Sequence, residues 1–507
     1  MLFPLPPEPG PGQAVAIRSR WRRTGYVGLQ LAAVGIGAVV LLLRISGVPA
    51  WDSVYAEDQG VFLVDALAHP WHLFVPYGGY EELMPRLIGQ LVSYLPFVDI
   101  DVAYALTGAI IAALCALLIY HALDGWIRSP WLRALVGAAL ILLPLAPIEI
   151  ADNGVNTPWY TLVALFFCFL WRPRGWAGMT AVALVAFAST SSEILAVIYV
   201  PLVLLRLIAL PRWREHAVTA GWLAGLLVQV PVVLQSYMHH TQRLTNLATA
   251  GQALGFYFHN VALRALGWRF SLGLTHHAGL NGATVIVCAI LVAVFGWALV
   301  TGNGPTRVFI AVALIMGFGE AVFAATVVPY VILQQFLFDF EGGSRYSAMP
   351  IMAMVAAVTV AVDAYLRRPK PSPSVASTSP MPDRPADSPV PDSGPVPVTT
   401  DGSPVPSAVV GGPVPDGAPV SVAAADGPIP APSHLPRALI AVVLLVGVLS
   451  IGWVSDYRYL TERRAWGNWE TKANQMLAAC QHSSSGTLTT WTWGKGTIVI
   501  PCSGLRR

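Results

Sequence analysis

The chain has 507 residues, 55% of them hydrophobic and only 11% charged, with a mean hydropathy of +0.60. So little charge cannot cover the surface of a water-soluble protein of this length, which excludes a soluble globular enzyme and points to an all-α polytopic membrane protein. The net charge of +3 says less than the placement of the arginines.

The first 25 residues read as a cytoplasmic tail. No short apolar core with a small-residue cleavage site precedes Arg23, so the apolar run at about 26–47 is expected to be retained as a span. Outer loop 48–100 follows, and it is acidic in an otherwise apolar chain. Asp52, Glu57, Asp58, Asp65, Glu81, Glu82 and Arg86 stand within WDSVYAEDQGVFLVDALAHPWHLFVPYGGYEELMPRL. Two stretches, 60–67 and 83–95, alternate as helices lying at a membrane interface. Glu57 and Asp58 read in two ways. One is a catalytic carboxylate that takes a proton from an acceptor hydroxyl, and the other is an acidic helix start. Gly78 and Gly79 permit a tight turn before Tyr80. Glu81, Glu82 and Arg86 are then expected on one helix face, as an ion pair or as the polar rim of a substrate site. Asp99-Ile100-Asp101 matches a bare metal-binding DxD at the head of a span, and is set aside as three residues of weak pattern.

About eleven spans are expected, near 26–47, 102–121, 132–149, 157–171, 176–190, 194–210, 217–235, 281–300, 307–333, 348–366 and 437–454. The arginines before the first span, then Arg128, Arg172 and Arg174, Arg212 and Arg214, Arg307, and Arg367 with Arg368 fall on alternate loops. That pattern places the N-terminus in the cytoplasm and the C-terminus outside the plasma membrane. In the short outer loop 150–156, Asp152, Asn153 and Asn156 suit a turn, while the two Asn amides with Trp159 and Tyr160 suit a sugar. Glu193, after STSS, ends a span on the same side. Outer loop 236–280 mixes aromatics with cations, as the headgroup level favours. Its paired histidines lack metal-ligand spacing, and no metal site is expected. Glu320 lies mid-span, where an acid is a functional candidate. Arg345 and Tyr346 enter the tenth span from the outer side, against the arginine bias. The guanidinium there calls for a partner, either a lipid phosphate or a carboxylate such as Glu341.

Residues 369–436, rich in Pro, Ser, Val and Gly, cannot bury a core and read as a disordered cytoplasmic linker. Residues 455–507 read as a small α/β appendage with two short strands around 494–496. Cys480 and Cys502 are expected to close it as a disulfide on an oxidising side. Cys115, Cys168 and Cys288 sit in apolar runs as packing residues.

AEDQGVFL, PYGGYEELMPRL, NGVNTPWYTL and GGSRYSAMP, spread over residues 56–350, resemble the GT-C superfamily of integral-membrane glycosyltransferases, and a group of actinobacterial membrane proteins with that layout. The resemblance implies a GT-C-like core over 26–368 and a polyprenyl-phosphate sugar donor. It implies a glycan or lipid acceptor in the cell envelope, and no nucleic acid. Asp58, or Glu57, matches the catalytic acid of the first loop. Arg345 matches the position near the lipid phosphate. Tyr346, Asp152, Asn153, Asn156, Trp159, Tyr80, Glu81, Glu82, Arg86 and Glu193 are then substrate-binding. Direct attack inverts the anomeric carbon. The phosphate leaves readily without a metal, although some relatives use a divalent ion. Competing readings are a transporter or flippase working through Glu320 and Glu193, and a scaffold docking through the linker and the disulfide module.

Overall fold

In the computed structural model the described residues are 20–144, 149–238, 248–327, 344–367, most of 456–505, and positions 447 and 450. The N-terminal tail before residue 20, the linker, nearly all of the run 437–454, and Asp339 and Glu341 lie outside them. The chain divides into two units: Met1–Arg367 with Ala438–Arg507, and Arg368–Arg437.

Six helices of the first unit are long and apolar enough to cross a membrane, and five more apolar helices are shorter. In order, α1 (Arg20–Leu42), α2 (Val64–Ala68) and α3 (Leu83–Val92) lead to α4 (Ile100–Ala122), α5 (Pro130–Ile141) and α6 (Thr157–Leu170). Then come α7 (Trp176–Thr190), α8 (Val200–Ala209), α9 (Ala217–Met238) and α10 (Ala250–Phe256). The set ends with α11 (Trp268–Thr301), α12 (Gly304–Val327) and α13 (Ala348–Leu366). Every residue of α6 is buried. A helix apolar all round belongs at the centre of a bundle, and α4, α7 and α13 pack against it. The outside of the bundle exposes Leu31, Ile208, Leu227 and Val292. Such a band of apolar side chains is tolerable against lipid and not against water.

The first span, expected at 26–47, forms as Arg20–Leu42, and three others differ from the sequence expectation. α5 stops at Ile141 rather than continuing to 149, because Pro144 cannot donate to a continuing helix. Its last carbonyls are taken by the buried Arg44, whose Nη1 donates to Ile141 O at 2.7 Å and Nη2 to Leu143 O at 2.9 Å. The run at 194–210 begins as a 3₁₀ stretch, Ile194–Tyr199, before α8. The run expected at 281–300 reaches back to Trp268, and two helices meet at Gly279, whose φ of 71° a β-carbon would resist. The stretch 250–266, expected at the headgroup level, packs into the bundle instead. Phe256 and Val261 join the main core, and Tyr257 stacks edge-on against Phe318 of α12.

The C-terminal module consists of α14 (Trp469–Gln481) and the antiparallel pair β3 (Thr487–Thr492) and β4 (Gly496–Pro501). The Cys480–Cys502 disulfide joins helix and hairpin. Trp469, Ala473, Met476 and Ile500 form a second core with Val54, Leu63, Phe97 and Tyr104 of the first loop and α4. Trp469 Nε1 donates to Phe97 O at 3.0 Å. The short strands β1 (Ile45–Ser46) and β2 (Tyr459–Leu460) pair in parallel, tying the tail to the end of α1.

The loops sort to two ends of the bundle. Loop 43–99, the 149–156 turn, the 191–193 turn, Arg345 and the disulfide module meet at one end. At the other, Arg172 pairs with Glu215, and Arg206 donates to Trp171 O at 3.0 Å. There Asp363 accepts the Arg128 and Ser129 main-chain N–H groups at 3.1 and 3.2 Å and also pairs with Arg367. This is the partition into alternate loops that the arginine pattern demands, with the acid-rich loops opposite the arginine-rich ones.

Candidate functional site

The site at the module end begins with the turn after α5. Asp152 adopts φ 56°, a left-handed conformation that Asp tolerates better than most residues. Asn153 Nδ2 donates to Glu149 O at 2.8 Å and Ala151 O at 3.1 Å. Asn156 Nδ2 also donates to Glu149 O, at 2.8 Å, and its main-chain N–H donates to Asn153 Oδ1. The two amides therefore stitch the turn and fix Glu149. Asp152, Asn153 and Asn156 are all buried.

Asp58 clamps the same turn from the first loop. Its Oδ2 accepts Gly154 N–H and its Oδ1 accepts Val155 N–H, both at 2.8 Å, while Tyr104 Oη donates to its main-chain oxygen at 3.3 Å. A β-carbon on Gly154 would stand 2.9 Å from Asp58 Oδ1 and from the Tyr104 ring. Glycine is required here by close approach. Asp58 and Glu57 open a π-helical turn that runs to Leu63, and Glu57 is only partly buried.

Glu149 then meets Arg345. Its Oε1 lies 3.2 Å from Arg345 Nη1, and its Oε2 accepts the Arg345 main-chain N–H at 3.4 Å. The guanidinium lies over the Trp159 ring at 5.9 Å and the Tyr346 ring at 5.3 Å, and those rings contact edge to face at 4.9 Å. Cation–π contacts of this kind hold the guanidinium plane without using up its donors. Among the described residues, Arg345 Nε is buried and has no hydrogen-bond partner. Thus a carboxylate, Glu149, holds Arg345, as one sequence alternative required; Glu341 lies outside the described residues.

The segment Tyr80–Met84 supplies the acids. Leu83 N–H donates to Ser191 O at 3.3 Å and Met84 N–H to Ser192 Oγ at 2.8 Å. The Glu81 peptide exchanges two hydrogen bonds with the buried Gln229 amide of α9, at 3.1 and 2.7 Å. These bonds lock Glu82, which precedes α3, beside Glu193 on the 191–193 turn. The expected shared helix face of Glu81, Glu82 and Arg86 does not form, because α3 begins only at Leu83. Instead Arg86 bridges Asp65 at 3.0 Å and Glu81 at 3.7 Å, with the Arg86 and Glu81 side chains buried. Glu82 turns to Tyr80, which hydrogen-bonds it.

Burial pushes Glu82 up to about 8, helped by the neighbouring Glu193 and opposed by the Tyr80 bond and Arg345. Burial likewise raises Glu193 to about 7 and Glu81 to about 7, where Arg86 opposes it. Tyr80 is raised for the same reason, with Glu82 and Glu193 adding to the effect. Glu82, Glu193 and the Tyr80 phenol, all buried, hold their protons more tightly than the free groups, and the Arg345 guanidinium stands within electrostatic reach.

The structure therefore brings Asp58, Tyr80, Glu82, Asp152, Asn153, Asn156, Trp159, Glu193, Arg345 and Tyr346 to one end of the bundle, with Glu81 and Arg86 beside them. Gln229, Ser191, Ser192 and Tyr104 were missed by sequence reasoning. Gln229 had one signal, a lone amide in the apolar run LLVQVP. Among the described residues no cluster of three or more His, Cys, Asp or Glu could hold a metal ion. Glu320 is fully buried in α12, and among the described residues neither of its carboxyl oxygens is hydrogen-bonded. Comparison with protein-family models, with curated proteins and with solved structures gives no match.

Proposed function

We propose that this chain is a GT-C-like glycosyltransferase with eleven spans, its N-terminus in the cytoplasm. It moves a sugar from a polyprenyl-phosphate donor to a glycan or lipid acceptor at the outer face of the plasma membrane. The observation that carries the reading is Arg345: a guanidinium with an unpartnered Nε, seated over Trp159 and Tyr346, beside a pocket of buried acids. Planar donors suit a phosphate, aromatic faces suit a sugar ring, and a buried carboxylate suits a hydroxyl about to lose its proton.

In this reading Arg345 binds the lipid phosphate, and Trp159 with Tyr346 lines the sugar. Asp58 holds the 149–156 turn and through it Glu149 and Arg345. The acceptor oxygen attacks the anomeric carbon directly, with inversion, as the sugar–phosphate bond breaks. The test is lipid-linked sugar analysis in cells lacking the chain. A polyprenyl-phosphate sugar accumulates, wild-type complementation clears it, and Arg345→Ala does not. An unchanged lipid-linked sugar pool on deletion overturns the reading.

A transport reading draws on Glu320, an acid within a candidate span. Glu320→Gln separates the two, since a transporter coupled through it would lose function and a transferase would keep turnover.

A further inference from the structure

We propose that Glu82, rather than Asp58, takes the acceptor proton, and that Glu193 tunes it. This rests on the transferase reading above and names the base within that site. Three observations separate the acids. Both carboxylate oxygens of Asp58 already accept main-chain N–H groups of the 149–156 turn. Protonating Asp58 would weaken the clamp that positions Glu149. Glu82 Oε2, in contrast, is buried and has no hydrogen-bond partner among the described residues. The backbone on either side of Glu82 is pinned to Ser191, Ser192 and Gln229, so its carboxyl is presented by a fixed segment, as preorganised acid–base chemistry requires.

The groups facing Glu82 come from four places in the chain. Tyr80 bonds it from its own loop, Glu57 adds negative charge from the start of that loop, Glu193 does so from the turn after α7, and Arg345 adds positive charge ahead of α13. The step balances as follows. The acceptor O–H proton passes to Glu82 Oε2, and the freed oxygen pair forms the bond to the anomeric carbon. The bond from that carbon to the phosphate oxygen breaks. Its electron pair stays on the polyprenyl phosphate, which leaves as the anion held by Arg345. Dry surroundings and a second acid keep Glu82 protonated until the pH approaches 8, and once ionised it is a stronger base than an ordinary carboxylate.

The experiment uses the full chain in lipid nanodiscs and the polyprenyl-phosphate sugar fraction extracted from a strain lacking this chain. Initial rates are followed from pH 5.5 to 9.5 (roughly the range that brackets a base poised near neutrality). Wild-type turnover is expected to rise through a midpoint near 8. Glu82→Gln is expected to lower kcat by ~100-fold or more while binding of polyprenyl phosphate persists, and Glu82→Asp to restore part of it. Glu193→Gln removes a facing negative charge and is expected to move the midpoint down by about one pH unit. Wild-type kcat in Glu82→Gln, or an unmoved midpoint in Glu193→Gln, overturns the proposal alone. A wild-type chain that binds polyprenyl phosphate and transfers nothing overturns the transferase reading and the proposal with it.

Discussion

The Glu149 carboxylate holds Arg345 at two points, the guanidinium at 3.2 Å and the Arg345 main-chain N–H at 3.4 Å, across 196 positions of sequence. Glu149 is itself fixed by two asparagine amides. A guanidinium steered this way keeps one edge for a ligand. Arg345→Ala is expected to weaken polyprenyl-phosphate binding by ~10–100-fold, the worth of a charge-assisted hydrogen bond. Arg345→Lys recovers only part, because an ammonium lacks the fork. Glu149→Gln keeps the geometry and lowers thermal stability by about 1–2 kcal/mol, since Arg345 is about a third exposed and partly screened. Binding and melting of the three variants in nanodiscs check this.

Asp58→Asn sets an amide N–H₂ against a main-chain N–H of Gly154 or Val155, leaving a buried donor unpaired at a cost of about 1–3 kcal/mol. Gly154→Ala forces a β-carbon to within 2.9 Å of Asp58 Oδ1, an overpacking cost of similar size, about 1–3 kcal/mol. Both variants are expected to melt earlier and to lose transfer together. Glu82→Gln is expected to lose transfer without that stability loss. A stable but inactive Asp58→Asn would return Asp58 to the role of base.

The elements most legible in sequence were those with both hydropathy and polar punctuation. Residues 176–190 and 348–366 are helices between the same limits that the pattern marks. The Cys480–Cys502 bridge and the strand pair around 494–496 follow from two cysteines and a glycine turn in a polar tail. The site was legible as a set of residues and illegible as a set of partners. Nothing local marks Asp58 as the clamp of a turn 96 residues away, or Gln229 as the anchor of Glu81 across 148. Glu81, Glu82 and Arg86 were placed on one helix face from spacings of four and five alone. Both acids precede α3, which begins at Leu83, so Glu81 reaches Arg86 while Glu82 turns to Tyr80.

The disulfide closes a segment of 22 residues, and by loop-closure entropy it is worth about 3 kcal/mol. The module also shares a core with Phe97 and Tyr104, so reduction is expected to loosen the hairpin before α14. In hydrogen exchange, the Cys480→Ser, Cys502→Ser double variant should lose protection over 486–505 first. Protection unchanged along the hairpin would assign its order to the shared core alone.

Orientation can be read from two exposed side chains at opposite ends of the bundle, Phe74 at 64% and Trp213 at 70% exposure. In a Cys288→Ser background, Phe74→Cys is expected to react with a membrane-impermeant maleimide in intact cells. Trp213→Cys should react only after permeabilisation, as arginine-rich loops in the cytoplasm require. The reverse pattern would invert the topology and place the acid pocket inside.

The acid pocket also sets a direction for stability against pH. Glu82, Glu193 and Glu81 are all raised above the ordinary carboxylate value, to about 8, 7 and 7, chiefly by burial. A carboxyl whose folded value is raised binds its proton more tightly in the native state than in the unfolded chain. Its contribution is therefore complete below about pH 4 and is lost as pH rises through the folded value. The native state should melt progressively earlier between about pH 5 and pH 8, opposite to the usual acid-labile trend of salt-bridged carboxylates. Glu82→Gln with Glu193→Gln replaces both titrating groups by neutral amides and should flatten that slope, raising the melting temperature at pH 8 relative to wild type. A wild-type melting temperature that climbs with pH over this range would mean that the pocket is wet and its acids are ionised at neutral pH.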